Sequence, residues 1–274
     1  MSGRIERVVV PLDAAAENRT AIDTAARLAA RAKALLHGVF VEDEELLSAA
    51  GLGFTRQSTL GAAAEPLTPE RTALQLQAAA ERARRDLAAV AEQRRLTWSF
   101  EVVRGPAERV FDSTTERDLV VAGGLTRPVA GHFRVASRWF ASVEAAPGPF
   151  LLARHAWEAE GGVVTLLLGR DPRSARLLEA AAQIADARGS NLTVLSPPPV
   201  AGAAGFEAWV AEQLSAYTVQ WRIEIAPAEP ALDDRQIAAL GCRLLAVAAT
   251  EADRIAGELG DLARRFAYDI LVVR

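Results

Sequence analysis

Short runs of apolar residues recur along the chain and alternate with segments of helical periodicity. In the first half they lie at Val8–Leu12, Leu35–Val41, Leu119–Val121 and Phe150–Ala153, with an alternating, β-rich segment at Thr97–Val103. Continuous apolar runs of this length are typical of strands covered on both faces. After the first run, Ile22, Ala25, Ala26 and Ala29 fall at i, i+3, i+4 and i+7, on one face of a helix. The pattern therefore predicts alternating strands and helices.

Two more helices and one irregular segment complete the first half. A long helix is predicted from Pro69 to about Arg95, with Thr68 as its N-cap, and a short helix from Gly105 to about Glu116. Residues 46–68 are rich in Gly, Ala, Ser and Thr and show neither the periodicity of a helix nor that of a strand. We interpret this segment as a mobile lid, with a variable loop as the alternative.

The second half repeats the pattern. Leu178, Ala181, Ala182 and Ala185 form the same helical stripe 156 residues after the first one. Strands are predicted at Val163–Leu168, Asn191–Leu195, Trp221–Ile225, Leu244–Ala248 and Ile270–Val273, and helices at Glu207–Tyr217, Asp233–Leu240 and Asp253–Phe266. An internal duplication explains this repetition, and it predicts two domains, residues 1–157 and 158–274.

Alternating strands and helices predict the α/β fold class: two tandem open five-stranded, mainly parallel sheets of order 3-2-1-4-5, with helices on both faces. Sheets of this kind bind ligands beyond the carboxyl ends of the strands, where the strand order reverses. Asp13 follows the first strand and Gly123 ends the fourth. In the predicted order these two strand ends are neighbours, so both residues face the expected crevice.

Composition narrows the classes of partner. A net charge of −4 and a pI near 5.6 argue against a nucleic-acid partner. No apolar run approaches the roughly 20 residues of a membrane helix, and the chain start lacks the features of a signal peptide. Cys242 is the one cysteine, which excludes an internal disulfide and a Cys-rich metal site, and its apolar surroundings predict an inert core thiol. We expect a soluble, cytoplasmic protein without a membrane partner.

The stretch Asp118–Phe140 carries the strongest chemical signal. A buried strand leads into Gly123 and Gly124, a loop without acidic residues follows, and Ser137 stands at the start of a new apolar-patterned segment. The basic residues of the loop are Arg127, Arg134 and Arg138, with His132 beside them. Glycines and a helix start expose backbone N–H groups to an anion. The stretch therefore predicts an anion site, although the arginines could equally form a solvated face and Ser137 a helix cap.

Signals for metal binding and catalysis are absent from the sequence. The histidines at 37, 132 and 155 are far apart and share no metal-ligand spacing, and no nucleotide-hydrolase, serine-hydrolase, metalloprotease or Cys–His motif occurs. We therefore predict neither catalytic residues nor a protein-bound metal.

The opening VVVPLD, the turn GPAERV and the loop after the fourth strand resemble the universal stress protein family, and the whole chain resembles a tandem member with two such domains. The resemblance implies an adenine-nucleotide alpha-hydrolase-like fold. In the ATP-binding branch of that family, the loop after the fourth strand has a glycine, a second glycine after two residues, a third after nine more, and then Ser or Thr. This loop holds the phosphates and the ribose, and the Asp after the first strand contacts the adenine end.

Matched onto this chain, the family pattern is kept only in part. Gly123 and Ser137 match, and Asp13 matches the adenine-side acid, whereas Thr126 and Ala136 replace the second and third glycines. Each replacement could cost about 1–2 kcal/mol of backbone strain. Arg127, with the arginines at 134 and 138, would compensate through charge-assisted contacts to phosphate. The resemblance thus implies a degenerate site for ATP or another adenine nucleotide, with no metal beyond a nucleotide-bound Mg.

The second half departs further from the family pattern. Gly169 stands where the first half has Asp13, although Asp171 lies two residues on. The segment after its fourth strand is acidic, with Glu251, Asp253, Glu258 and Asp261, and lacks the glycine spacing. Because these acids would repel a triphosphate, we predict that this half binds no nucleotide.

The leading functional hypothesis is a non-enzymatic stress-response protein whose first half binds an adenine nucleotide and which acts on a still unknown protein partner. The alternatives are a protein–protein scaffold without nucleotide, a slow nucleotide hydrolase, and a binder of a small hydrophobic ligand. The last strands, Phe150–Ala153 and Ile270–Val273, would each lie at a sheet edge. By the family resemblance we expect them to pair within one chain as a pseudo-dimer, with homodimerisation as a further expectation.

Overall fold

The computed structural model of the chain describes residues 5–13, 18–42, 56–57, 65–66, 68–123, 146–157, 160–226, 234–250 and 267–274. The strands of these ranges are β1 (Arg7–Leu12), β2 (Leu35–Glu42), β3 (Arg56–Gln57), β4 (Glu65–Pro66), β5 (Trp98–Arg104), β6 (Asp118–Gly123), β7 (Phe150–Ala153), β8 (Gly162–Leu166), β9 (Leu192–Ser196), β10 (Trp221–Ile225), β11 (Cys242–Ala248) and β12 (Asp269–Val273). The α-helices are α1 (Arg19–Ala32), α2 (Pro69–Gln93), α3 (Pro172–Arg188), α4 (Pro198–Ala201), α5 (Phe206–Leu214) and α6 (Asp234–Ala239).

Among the described residues, ten of the strands form one sheet, of order β10-β9-β8-β11-β12-β7-β6-β1-β2-β5. Within each half the neighbouring strands are parallel and follow the predicted order 3-2-1-4-5. The halves meet where β7 and β12 pair antiparallel, with Leu151 opposite Leu271. The predicted fold class is confirmed. The division into domains 1–157 and 158–274 stays a prediction, and residues 158 and 159 lie outside the described residues.

The core lies on both faces of this sheet, which explains the continuous apolar runs of the sequence. In β1, Val8, Val10 and Leu12 belong to the apolar layer that contains α1, α2, α3 and α5, and Val9 belongs to the layer on the other face. All four side chains are fully buried. A strand covered on both faces favours apolar residues at successive positions, so its sequence reads as a nearly continuous apolar run.

The two outer strands of the sheet differ from the inner ones. β5 and β10 contain half-buried and exposed positions, whereas the inner strands are almost wholly buried. Val102 in β5 is 48% exposed and Ile225 in β10 is 66% exposed. These strands are the ones in which polar and apolar residues alternate.

Helix α3 begins with a side-chain cap. Asp171 lies at the N-cap in extended backbone, its Oδ1 accepts from the backbone N–H of Ser174 at 2.7 Å, and Pro172 follows at the first helical position. The bond from the Ser174 N–H holds the pKa of Asp171 below its ordinary value. The helix ends at Gly189, whose φ of 63° lies in the left-handed region that favours glycine.

We expect Asp171→Ala to destabilise the chain by about 1 kcal/mol, because an N-terminal N–H of α3 then loses its acceptor. Asp171→Asn retains an acceptor and should cost much less at neutral pH. Because the folded-state pKa of Asp171 is lowered, the charge stabilises the fold above the ordinary value and this contribution is lost as the pH falls through the folded-state pKa. Urea unfolding at neutral and progressively lower pH measures both effects; equal losses in the two variants would contradict the cap.

The predicted helix from Gly105 to Glu116 is wrong. The structure has a five-residue 3₁₀ helix at Ala107–Phe111 instead. The reason is a local turn: the Oδ2 of Asp118 accepts from the backbone N–H of Thr115 at 2.7 Å, and Asp118 N–H donates to the carbonyl of Thr115 at 3.1 Å. A side chain that takes a backbone N–H in this way competes with helical hydrogen bonds.

Two other predicted elements have a different outcome. Of the segment 46–68, only 56–57, 65–66 and 68 are described, and β3 pairs antiparallel with β4 there. The lid interpretation and the helix predicted at Asp253–Phe266 lie outside the described residues. Among the helices that are described, none has the length and apolar character needed to cross a membrane.

Candidate functional site

The predicted crevice lies at the carboxyl ends of β1 and β6. These strands are paired in parallel, with Arg7 opposite Asp118 and Val9 opposite Val120, so their carboxyl ends lie side by side. The strand order reverses between them, because the other neighbour of β1 in the sheet is β2, whereas the other neighbour of β6 is β7. Asp13, which is half-buried, directly follows β1, and Gly123 is the last residue of β6. The structure therefore places these two predicted site residues at the carboxyl ends of neighbouring parallel strands.

The turn after β1 is closed by Asn18. Its Nδ2 donates to the backbone carbonyl of Asp13 at 3.1 Å, and its own carbonyl accepts from the N–H of Ile22 at 2.9 Å. Asn18 stands at the N-cap of α1 but makes no side-chain bond to the N–H groups of that helix. The side chain is thus used to tie the end of β1 to the start of α1, which fixes the backbone at Asp13.

The phosphate side of the predicted site falls on residues outside the described ranges. Thr126, Arg127, Ala136 and Ser137 belong to this group, as do His132, Arg134 and Arg138. Their assignment to the site stays a prediction. The acidic residues after β11 also lie outside the described ranges, so the repulsion of a triphosphate by that segment stays a prediction as well.

The corresponding strand end in the second half is arranged differently. Gly169 has no heavy atom within 4 Å of where a Cβ would lie, and the Asp171 carboxylate, two residues on, is engaged in the cap of α3. The Oγ of Ser196, at the end of β9, donates to the carbonyl of Leu167 at 2.7 Å and is fully buried. Asp171 therefore does not simply replace Asp13, because its side chain is turned to the helix.

A cavity of about 600 Å³ lies on a different part of the molecule. It opens where the amino ends of β1, β6 and β7 meet the carboxyl end of β12, with Ile5, Gly148, Pro172, Gln183 and Val273 in its wall. This is the edge of the first half opposite the predicted crevice. Sequence reasoning missed it, because its walls come from segments that only the pairing of β7 with β12 brings together.

A buried polar network joins the two halves and was also missed. The Oδ1 of Asp269, at the start of β12, accepts from the backbone N–H groups of Arg154 and His155 at 2.8 and 3.1 Å. Its Oδ2 accepts from Nη1 of Arg188 at 3.3 Å. The Arg188 guanidinium also lies 5.3 Å from the ring centroid of Trp157. Burial lowers the pKa of Arg154 in this region. The network links β12 and α3 to the segment that follows β7.

Two smaller polar groups lie on the face of the sheet opposite the Asp269 network, near the amino ends of the first-half strands. The ring of buried His37 lies 2.8 Å from Oγ of Ser99 and 3.2 Å from Oε1 of Glu101. Arg7 makes two bonds to the carboxylate of buried Asp118, at 3.1 and 2.7 Å, and this pairing raises the pKa of Arg7. Both groups satisfy buried polar atoms within the sheet.

Metal ligands and thiols give no additional site. Across the described ranges, no three His, Cys, Asp or Glu side chains are grouped so that they could hold a metal ion. Cys242 is buried at the start of β11, as predicted from its apolar surroundings.

Comparisons with known proteins extend the fold assignment. No protein-family model matches the chain, and a search of the curated proteins finds no match either. The chain is similar to a universal stress protein from Archaeoglobus fulgidus DSM 4304, at 10% identity and a TM-score of 0.65, over 100% of this chain and 97% of the other. It is also similar to a Pseudomonas aeruginosa UCBPP-PA14 protein named as a universal stress protein, at 17% identity and a TM-score of 0.59, over 98% and 93%.

A third match comes from a different kind of protein, the cytoplasmic domain of a prokaryotic cation chloride cotransporter. Its identity is 13% and its TM-score 0.51, over 97% of this chain and 94% of that domain. The resemblance to universal stress proteins predicted from the sequence is confirmed at the level of the fold, which the whole length of the chain shares. Because the same fold also serves a transporter domain, the fold leaves the activity to be argued from the site.

Proposed function

We propose that this chain is a non-enzymatic stress-response protein of the universal stress protein kind, and that its first half binds an adenine nucleotide at the carboxyl ends of β1 and β6. The fold shared with universal stress proteins supports the broader part of the proposal. The finer part rests on one observation: Asp13 directly follows β1 and Gly123 ends the neighbouring parallel strand β6, at the point where the strand order reverses. Open α/β sheets bind their ligands at such points.

The two residues suit different parts of a nucleotide. The Asp13 carboxylate accepts hydrogen bonds and fits the exocyclic amino group of adenine. Gly123 lets the backbone of β6 continue into the following loop without a side chain at the crevice. The phosphates would then lie against that loop, where Arg127 and Ser137 supply a charge and a hydroxyl. Any Mg would arrive with the nucleotide, bound to its phosphates.

The second half lacks the same combination. Gly169 offers no carboxylate beside the end of β8, and the Asp171 carboxylate is held by the N–H of Ser174. An adenine amino group would have to compete with that cap for the oxygen. We therefore propose one nucleotide per chain, in the first half.

Calorimetric titration of the full chain with ATP, ADP and AMP tests this proposal. We expect saturable binding at one site per chain and a loss of about five- to tenfold in affinity in Asp13→Asn, because the amide keeps an acceptor but loses the charge, and a hydrogen bond to a charged group is worth about 1 kcal/mol more than a neutral one. Asp171→Asn is the matched control: the same charge is removed at the corresponding strand end of the other half, and binding should not change.

Other outcomes separate the alternatives. Flat titrations up to millimolar nucleotide would contradict the nucleotide proposal and favour a scaffold that works through protein contacts alone. Phosphate release from ATP that is abolished in Asp13→Asn would contradict the non-enzymatic part and favour a slow hydrolase. Equal loss of binding in both Asn variants would place the nucleotide elsewhere.

A further inference from the structure

We infer that β10 is a self-complementary edge through which two copies of this chain pair antiparallel, so that their sheets join into one continuous sheet. β10 is the outer strand of the second half and pairs with β9; the described part of the chain places no strand on its other side. An outer strand presents unpaired N–H and C=O groups that can template another strand. The choice of a second copy as the occupant follows from the backbone direction and the side chains of Trp221–Ile225.

The backbone hydrogen bonds identify which groups of β10 point outward. The N–H of Leu192 donates to the carbonyl of Gln220 at 2.9 Å, and the N–H of Ala226 donates to the carbonyl of Ser196 at 2.8 Å. Successive residues of a strand direct their N–H and C=O to opposite sides. Even-numbered residues therefore bond toward β9, and Trp221, Ile223 and Ile225 direct theirs to the open edge.

The three residues whose backbone groups point to the open edge are arranged symmetrically about Ile223. A two-fold axis at Ile223 makes an antiparallel pair in which Ile223 faces Ile223 of the second copy and Trp221 faces Ile225. Each of these pairs exchanges two hydrogen bonds, as facing residues of a hydrogen-bonded antiparallel pair do. Ile225, which is 66% exposed in the single chain, is then covered by the Trp221 ring of the second copy. Aromatic and β-branched residues that face each other in this way stabilise sheets.

The charges obey the same symmetry. Arg222 and Glu224 lie on the other face of β10, with side chains 57% and 43% exposed, and their Nε and Oε1 atoms are 3.2 Å apart. The axis at Ile223 places Arg222 opposite Glu224 of the second copy, and Glu224 opposite Arg222. These are the non-hydrogen-bonded positions, where Cα atoms approach to about 4.5 Å and side chains interact most closely. Two attractive cross-strand pairs therefore form at once.

Strand β5, the other outer strand of the sheet, is not self-complementary in this way. The middle residue of β5 (Trp98–Arg104) is Glu101, and a two-fold axis there would place two glutamates opposite each other. The Glu101 carboxylate is also bound to His37 within its own chain. Self-pairing through the central axis is thus favoured at β10 and disfavoured at β5.

Charge reversal tests the inference on the full chain by sedimentation equilibrium. We expect the wild type to dimerise, and Arg222→Glu and Glu224→Arg each to weaken the dimer about tenfold or more, because each replaces two attractive cross-strand pairs with two repulsive ones. The double variant Arg222→Glu/Glu224→Arg restores opposite charges at facing positions and should regain the dimer. Arg104→Glu, an exposed reversal on β5, should leave it unchanged.

Mixing gives a second readout that loss of folding would not produce. An Arg222→Glu chain carries two acidic positions and a Glu224→Arg chain two basic ones, so the two variants should pair with each other more tightly than either pairs with itself. A wild type that stays monomeric at every concentration would overturn the inference. So would a dimer that both single reversals leave intact, or a double variant and a mixture that fail to pair.

Discussion

Asp269→Ala is expected to destabilise the folded chain by about 3–5 kcal/mol, the effect of leaving one member of a buried ion pair without its partner. The Asp269 and Arg188 side chains are only 3% and 5% exposed, and their Oδ2 and Nη1 atoms are 3.3 Å apart. Removal of the carboxylate takes an acceptor and a negative charge away from the buried guanidinium, which also donates to the carbonyl of Trp157 at 3.4 Å. A buried cation that loses a counter-charge is destabilised because it cannot regain its hydration in exchange.

The same substitution breaks backbone contacts of the segment that follows β7. Asp269 accepts from the N–H groups of Arg154 and His155, and from Nδ1 of His155 at 3.1 Å. These donors lose their Asp269 acceptor when the side chain is shortened to a methyl group. The loss should therefore exceed that of a single surface ion pair by several fold.

Urea unfolding of the full chain measures the effect. Glu81→Ala is the control: it removes the Arg84 pair on the exposed face of α2, where both side chains are about half exposed and the expected loss is below about 1 kcal/mol. Asp269→Asn keeps an oxygen for the backbone N–H groups and removes the charge, so its loss should lie between the two. A change below about 1 kcal/mol in Asp269→Ala would show that the network does not hold the halves together.

The fold could be predicted from the sequence because its strands are covered on both faces. Phe150–Ala153 and Trp221–Ile225 have the same bounds in the prediction and in the structure. The prediction was wrong at Gly105–Glu116, where a helix was expected and the side chain of Asp118 instead accepts from the N–H of Thr115. Periodicity describes which residues are buried; it does not show when a side chain takes a backbone donor.

Some features of the candidate site could likewise be predicted from the sequence, and others could not. The placement of Asp13 and Gly123 at the ends of neighbouring strands follows from the strand order and could be predicted, because parallel neighbours have their carboxyl ends at one edge of the sheet. The network at Asp269 could not, because its partners Arg154 and Arg188 lie 115 and 81 residues away and no local pattern relates them. The cap formed by Asp171 was accessible in principle, since Asp before Pro at a helix start is a recognisable signal.

Gly148→Ala should destabilise the chain by about 3 kcal/mol, because the added methyl group has no space. A Cβ at this position would lie 2.4 Å from the carbonyl oxygen of Asp118 and 2.8 Å from that of Thr115. Both are backbone atoms, so neither can swing away as the end of a flexible side chain could. The Thr115 carbonyl is fixed by the N–H of Asp118 at 3.1 Å, and the N–H of Val120 is bound to the carbonyl of Pro149 at 3.0 Å.

Relief of this clash would have to move the start of β6 away from the segment before β7. Any such shift also disturbs the buried Asp118 carboxylate, which is held by Arg7 and by the N–H of Thr115. Gly169→Ala is the matched control, since a Cβ there meets nothing within 4 Å and its φ lies outside the left-handed region. We expect this control to be neutral or stabilising by up to about 1 kcal/mol, because alanine restricts the unfolded chain more than glycine does. Urea unfolding of Gly148→Ala and Gly169→Ala measures the difference in stability between the two variants. Equal stability would mean that the backbone at Asp118 and Thr115 moves freely, and that the close approach at Gly148 does not fix the start of β6.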